Sequence, residues 1–253
     1  MKDRSVEVWM VGGTVRGIVT SEIKESFEHH PGLRGRQPEA YDMAEELRRL
    51  IALSVTSAPS PEETAELTAQ LAAVADRLEE LLPAEPFPRF CAPPPDAPAP
   101  EAPLGGSMPF DPIVGRFNPL AVPVTLSFDP PKAFGHAVFT VAYEGAPGCV
   151  HGSALAATFD LVLTAANAVA GATGPTVRLN TRFRRPTLLN EDVLFEGWVT
   201  EVTERRVFSL GRIVQRGEVT VEAEGEFAIF NLGKVQELAA AARGNTAGPP
   251  ASR

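Results

Sequence analysis

Positive charge is in short supply: 23 Lys and Arg stand against 32 Asp and Glu, leaving a formal net charge of −9. A chain that displaces counterions from nucleic-acid phosphates, or adheres to anionic lipid, needs a basic surface, so neither partner is expected. Cysteine is nearly missing. Cys91 and Cys149 stand in different segments with no metal-ligand spacing around them, which excludes a disulfide framework and a zinc ribbon and points to a reduced, cytoplasmic setting. Long apolar runs are missing too. The opening MKDRSVEVWMVGG is interrupted by Glu7, and the most apolar stretch, residues 152–177, carries Asp160, Asn167 and three glycines. A membrane helix needs about 20 consecutive apolar residues, so no signal peptide and no span is expected, and 152–177 suits a buried core helix better.

What is present divides into blocks. Residues 1–36 mix a short apolar stretch with a charged run ending in His29 and His30, and read as a tail in which adjacent histidines are solvated rather than metal-binding. Residues 37–82 read as a helical hairpin. Its second helix is announced by Ser60, Pro61, Glu62 and Glu63, a capping box with proline at the first helical position. Leu67, Leu71, Val74, Leu78 and Leu81 then recur at helical spacing, as do Met43, Leu47, Leu50 and Ile51 before them, so the hairpin is expected to pack against the main domain or its twin. Residues 83–106 hold nine prolines, which deny both helix and central strand and leave a stiff spacer. Deleting residues 1–104 is therefore expected to leave a folded core. A tail, 233–253, closes the chain.

Residues 107–232 change pattern to short alternating segments around one apolar helix. Strands are predicted at 122–128 and 134–143, a helix at 152–170, and strands at 176–184, 192–203, 206–215 and 218–230, joined by hairpins such as the one at Arg216 and Gly217. Two strands, a helix and four strands make an α+β domain in which an antiparallel sheet wraps a central helix.

That helix carries the chemistry. Asp160 is the only formal charge between residues 152 and 177, and a carboxylate in apolar surroundings is a candidate for acid-base work. The run GCVHGS brings a turn into a helix N-terminus with no obvious side-chain cap, so free N–H groups, that of Gly152 above all, are placed to meet a developing oxyanion. There is no Gly-x-Ser-x-Gly elbow and Ser153 has no visible relay, which argues against a serine hydrolase. Cys149 reads as a buried inert thiol.

The run EGAPGCVHGSALAATFD, followed by TVRLNTRFRRPTLL, resembles the His-Gly-Gly…Asp…Thr/Ser pattern of the PaaI-like hotdog-fold acyl-CoA thioesterases. The resemblance covers about half the chain and implies a hotdog fold. It implies that the Gly152 N–H is the oxyanion donor, that His151 orients the entrance or the thioester, that Asp160 is base or nucleophile, and that Thr176 positions water. Ser153 stands where the family has a second glycine, beside the substrate, and the asparagine some relatives carry before the histidine is missing.

The strand 176–184 alternates, with Arg178, Asn180, Arg182 and Arg184 on one face, and Arg184 and Arg185 are the candidates to meet the phosphates of coenzyme A. The expectation is an acyl-CoA thioesterase without metal or organic cofactor, working as a homodimer or dimer of dimers. A non-catalytic acyl-CoA-binding scaffold, with Ser153 marking a decayed site, is the alternative. A hotdog hydratase is disfavoured because its Asp and His signature is absent.

Overall fold

A computed structural model of the chain describes residues 27–89 and 108–229. The first 26 residues, most of the proline-rich spacer and the C-terminal tail lie outside the described residues. Two helices, α1 (Gln37–Ser54) and α2 (Pro61–Glu79), precede strands β1 (Val124–Asp129) and β2 (Lys132–Val138), helix α3 (Gly152–Val169), and strands β3 (Thr176–Phe183), β4 (Asp192–Val202), β5 (Arg206–Gln215) and β6 (Glu218–Ala228). The six strands form one antiparallel sheet in the order β1-β2-β4-β5-β6-β3, with α3 packed on it. This is the expected hotdog arrangement. The predicted strand over 134–143 stops at Val138, because residues Val141–Tyr143 turn into one short 3-10 segment.

Why α3 sits where it does is written across the strands. Ala133, Gly197, Gly211, Ala223 and Thr181 are in register on five neighbouring strands, making a lane of small residues over which a helix can settle. A Cβ at Gly197 would lie 3.1 Å from both the Val162 side chain and the Val162 carbonyl, and one at Gly211 would lie 3.0 Å from the Phe159 ring. Leu155, Phe159, Val162 and Leu163 fill the space on either side and are almost completely buried with Phe139, Phe195, Val207, Ile213 and Phe227. Each such side chain contributes about 1.5–3 kcal/mol by leaving water. By length and composition α3 could cross a membrane, but nine of its residues are buried within the fold, as its reading as a core helix requires. Its remaining face, with Ala156, Ala157, Asp160 and Thr164, is only half-buried, and the neighbouring edge strand β3 leaves Val177 and Phe183 exposed.

The N-terminal region departs from expectation in three ways. The double histidine is no solvated tail: His30 is fully buried, its Nε2 2.8 Å from the Pro88 carbonyl and its Nδ1 accepting the Gly32 N–H at 3.0 Å. It stacks edge-on against Phe87 and Phe110, beside a cluster of Phe27, Leu33 and Ala40 with Phe110 and Phe117. Nor does the spacer isolate what precedes it. Arg48 of α1 donates to the carbonyls of Arg116 and Asn118, so removing residues 1–104 would uncover part of the main domain. Finally, both helices of the expected hairpin form, but α2 does not pack against the main domain. The capping box of α2 closes as predicted, Ser60 N–H to Glu63 Oε2 at 2.8 Å and Glu63 N–H to Ser60 Oγ at 3.2 Å, yet every residue of α2 is exposed.

Candidate active site

The loop before α3 is tightly bonded. Glu144 Oε1 accepts the Gly148 N–H at 2.6 Å, Gly145 N–H reaches the Cys149 carbonyl, and His151 N–H reaches the Tyr143 carbonyl. Gly148 has φ +74°, the left-handed conformation in which a side chain is strained, so the tight turn needs glycine. The loop delivers His151 to the N-cap of α3 in extended conformation, φ −62° and ψ 134°.

Here the expectation of an uncapped helix is corrected. His151 Nδ1 accepts the Ser153 N–H at 3.0 Å and lies 2.7 Å from Ser153 Oγ, so the imidazole itself caps the helix. The cap takes the second helical N–H and leaves the first. The Gly152 N–H has no acceptor among the described residues, and at a helix N-terminus it points out with the positive end of the helix dipole behind it. A Cβ at Gly152 would stand 3.0 Å from the exposed Phe183 ring, so glycine there keeps room for both the ring and an approaching oxygen.

Two turns further along α3, Asp160 Oδ1 accepts the Thr176 hydroxyl at 2.5 Å. The pair joins the helix to the first residue of edge strand β3. Asp160 is half-buried rather than enclosed in apolar side chains, because it projects from the face of α3 that the sheet does not cover. The arrangement therefore offers an N–H donor at the helix tip and, about 12 Å along the same helix, a carboxylate whose second oxygen is open to a water or a carbonyl carbon.

Of the arginines in β3 and directly after it, Arg178, Arg184 and Arg185 are compensated. Arg184 is bound twice by Glu222, at 2.8 and 2.6 Å, Arg185 pairs with Glu218, and Arg178 lies 3.6 Å from Glu226. Arg182 makes no ion pair among the described residues. Arg185 also lines, with Pro186, Leu188 and Arg216, a shallow groove, and Leu188 forms an isolated β-bridge with Cys149. Cys149 is half-buried, its thiol 3.5 Å from the Pro147 carbonyl, and the neighbouring imidazole Nδ1 is committed to Ser153, so no base serves it. Among the described residues no group of three or more His, Cys, Asp and Glu side chains is placed to hold a metal ion.

Sequence reasoning missed Glu144 and Phe183. Glu144 stands four residues before Gly148, within reach of a local turn, and its position ahead of a Gly-Ala-Pro-Gly loop was a readable signal. Phe183 approaches Gly152 only because β3 folds back beside the helix, a contact that no local pattern announces.

Residues 147–222, from the loop into the first half of β6, match the sequence profile of the thioesterase superfamily. No curated protein is matched. Among solved structures, a thioesterase superfamily protein is 30% identical with TM-score 0.65, the alignment covering 74% of this chain and 94% of that one. Seventy-four per cent of the chain is about 187 residues, more than residues 108–229 can supply, so that likeness takes in N-terminal sequence as well. Zebrafish thioesterase superfamily member 2 is 19% identical, with TM-score 0.41 and coverage of 43% and 82%. The PaaI protein of the Escherichia coli phenylacetic acid degradation operon is 16% identical, with TM-score 0.40 and coverage of 43% and 80%.

Proposed function

Because the chain belongs to the thioesterase superfamily, with its hotdog fold, we propose that it hydrolyses acyl-CoA thioesters to a free acid and coenzyme A. The observation that carries this reading is the Thr176 hydroxyl bonded to the Asp160 carboxylate across a gap of sixteen residues, facing out of the core, with the unpaired Gly152 N–H on the same helix. In the proposed reaction Asp160 removes a proton from water, held by Thr176, as the water attacks the thioester carbonyl. The carbonyl oxygen becomes negative and is met by the Gly152 N–H, whose dipole is already oriented and pays no reorganisation. Collapse expels the thiolate of coenzyme A, which takes up the proton.

Gly152 and Asp160 of one helix are too far apart to act on one carbonyl. We therefore place the site between two chains related by a two-fold axis, Gly152 of one facing Asp160 of the other. The half-buried face of α3 and the exposed edge of β3 are the surfaces such an arrangement would use. The compensated Arg184 and Arg185 can meet coenzyme A phosphates only by exchanging carboxylate partners, so their share in affinity is expected to be small and salt-dependent.

The test is release of free thiol from a panel of acyl-CoAs. Asp160→Asn is nearly isosteric and should lower turnover by roughly two to four orders of magnitude. Near-native turnover in that variant would remove Asp160 from the chemistry, and tight acyl-CoA binding without turnover by the wild type would make the protein a scaffold.

A further inference from the structure

Ser153 occupies the position of a glycine in the resembled family, and its contacts give it work to do. The His151 Nδ1 faces two groups of the same residue, the Ser153 backbone N–H at 3.0 Å and the Ser153 hydroxyl at 2.7 Å. A backbone N–H can only donate. The Nδ1 it points at therefore presents a lone pair, and this one bond weighs against the imidazolium and the tautomer protonated at Nδ1 without excluding them by itself. With Nδ1 an acceptor, the hydroxyl at 2.7 Å must also be donating, since neither partner would otherwise supply the hydrogen. The ring proton is left on Nε2, which makes no hydrogen bond among the described residues.

From this geometry we infer that Ser153 is a positioning residue that locks His151 as the Nε2–H tautomer, making the imidazole a hydrogen-bond donor at the mouth of the site. The inference rests on the thioesterase reading for what the donor meets, namely the oxygen of an acyl thioester, beside the Gly152 N–H. It also excludes His151 as the general base. To accept a proton at Nε2, the ring would have to carry its own proton on Nδ1, against the helix N–H that Nδ1 caps. The base is thereby left to Asp160, and Ser153 becomes part of the machinery rather than a remnant of a lost glycine.

The experiment uses the full chain and two readouts. Nitrogen-15 shifts of the imidazole rings, with the His151 signals identified by their loss in His151→Gln, report the tautomer whether or not any substrate turns over. Acyl-CoA hydrolysis reports kcat and KM separately. The wild type at neutral pH should show His151 protonated at Nε2. In Ser153→Ala and Ser153→Gly, where only the backbone N–H remains, the ring should populate both tautomers, and kcat should fall roughly three- to tenfold, the worth of one modest hydrogen bond, with KM within about twofold. Ser153→Thr keeps a hydroxyl and should restore both signatures. A wild-type ring protonated at Nδ1, or ring shifts unmoved in Ser153→Ala, would overturn the lock. A rise in kcat in Ser153→Gly would do so too, since a decayed site gains from regaining its glycine. If the ring signatures come out as expected while no acyl-CoA is hydrolysed, the lock stands and the thioesterase reading falls.

Discussion

A histidine two residues before a serine carries no conventional capping signature, yet in this chain the imidazole does what Ser, Thr, Asp or Asn does at other helices. The candidate residues Gly152, Asp160 and Thr176 were singled out because the spacing of the run on either side of Asp160 resembles a known pattern, and the structure bonds two of them, Thr176 and Asp160, to each other. His151 as a cap was not, because capping by a ring nitrogen depends on a side-chain rotamer that composition does not encode. His30 was misread for a related reason: its partner, the Pro88 carbonyl, lies 58 residues away. Burial lowers the pKa of His30. The Pro88 hydrogen bond opposes that shift, while the positive neighbours His29 and Arg89 reinforce it. Since the folded side chain titrates below the unfolded value of about 6.5, the stabilisation from a neutral His30 is complete above that pH and is lost as pH falls through the lower folded value. Nδ1, which accepts the Gly32 N–H, cannot take a proton without losing that bond. Thermal unfolding of the full chain between pH 7.5 and 5 should therefore show an acid loss that is shallower in His30→Gln. Parallel curves for the two proteins would mean that His30 does not contribute to the acid response.

At the scale of elements, the strands and α3 were readable to within a few residues from alternation and apolar content, and the α2 capping box was readable in full. The seat of the helix was not. Ala133, Gly197, Gly211, Ala223 and Thr181 come from five strands spread over 90 residues of sequence, and only the register of the sheet shows that they form one lane. Two of its members are glycine because the helix leaves no more room. Gly197→Val would press two methyl groups toward the Val162 carbonyl, 3.1 Å from where even a Cβ would stand, and toward the Leu163 side chain. The helix backbone has to move to admit them. Overpacking of this kind costs about 1–3 kcal/mol, so urea unfolding should show a lower midpoint with an unchanged slope. Because the same helix carries Gly152 and Asp160, acyl-CoA turnover should drop as well. A midpoint equal to that of the wild type would show that α3 is not seated as tightly as the lane implies.

For the molecule as a whole, composition suggests an appendage, a spacer and a core, but the docking of α1 was not legible, since it runs through Arg48 and two backbone carbonyls nearly 70 residues away. What one chain lacks is equally informative. The N–H of Gly152 and the carboxylate of Asp160 lie about 12 Å apart on a single helix, so under the proposed function a single chain holds both halves of a site without completing one. A two-fold pair would complete two sites, and this arrangement makes a prediction that sites within one chain do not share. Asp160→Asn removes the proposed base. Gly152→Pro removes the N–H at the first helical position, where proline is tolerated, and the preceding His151 already has the extended backbone that a residue before proline requires. Each variant alone should be nearly inactive. Co-expressed at equal levels, half of the dimers contain one chain of each kind, and in these one site carries both lesions and the other none. Roughly a quarter of wild-type activity should return, because lesions on separate chains are then combined in one site and spared in the other. With both variants shown to be folded and mixed dimers isolated by two affinity tags, absence of recovery would place the donor and the base within one chain.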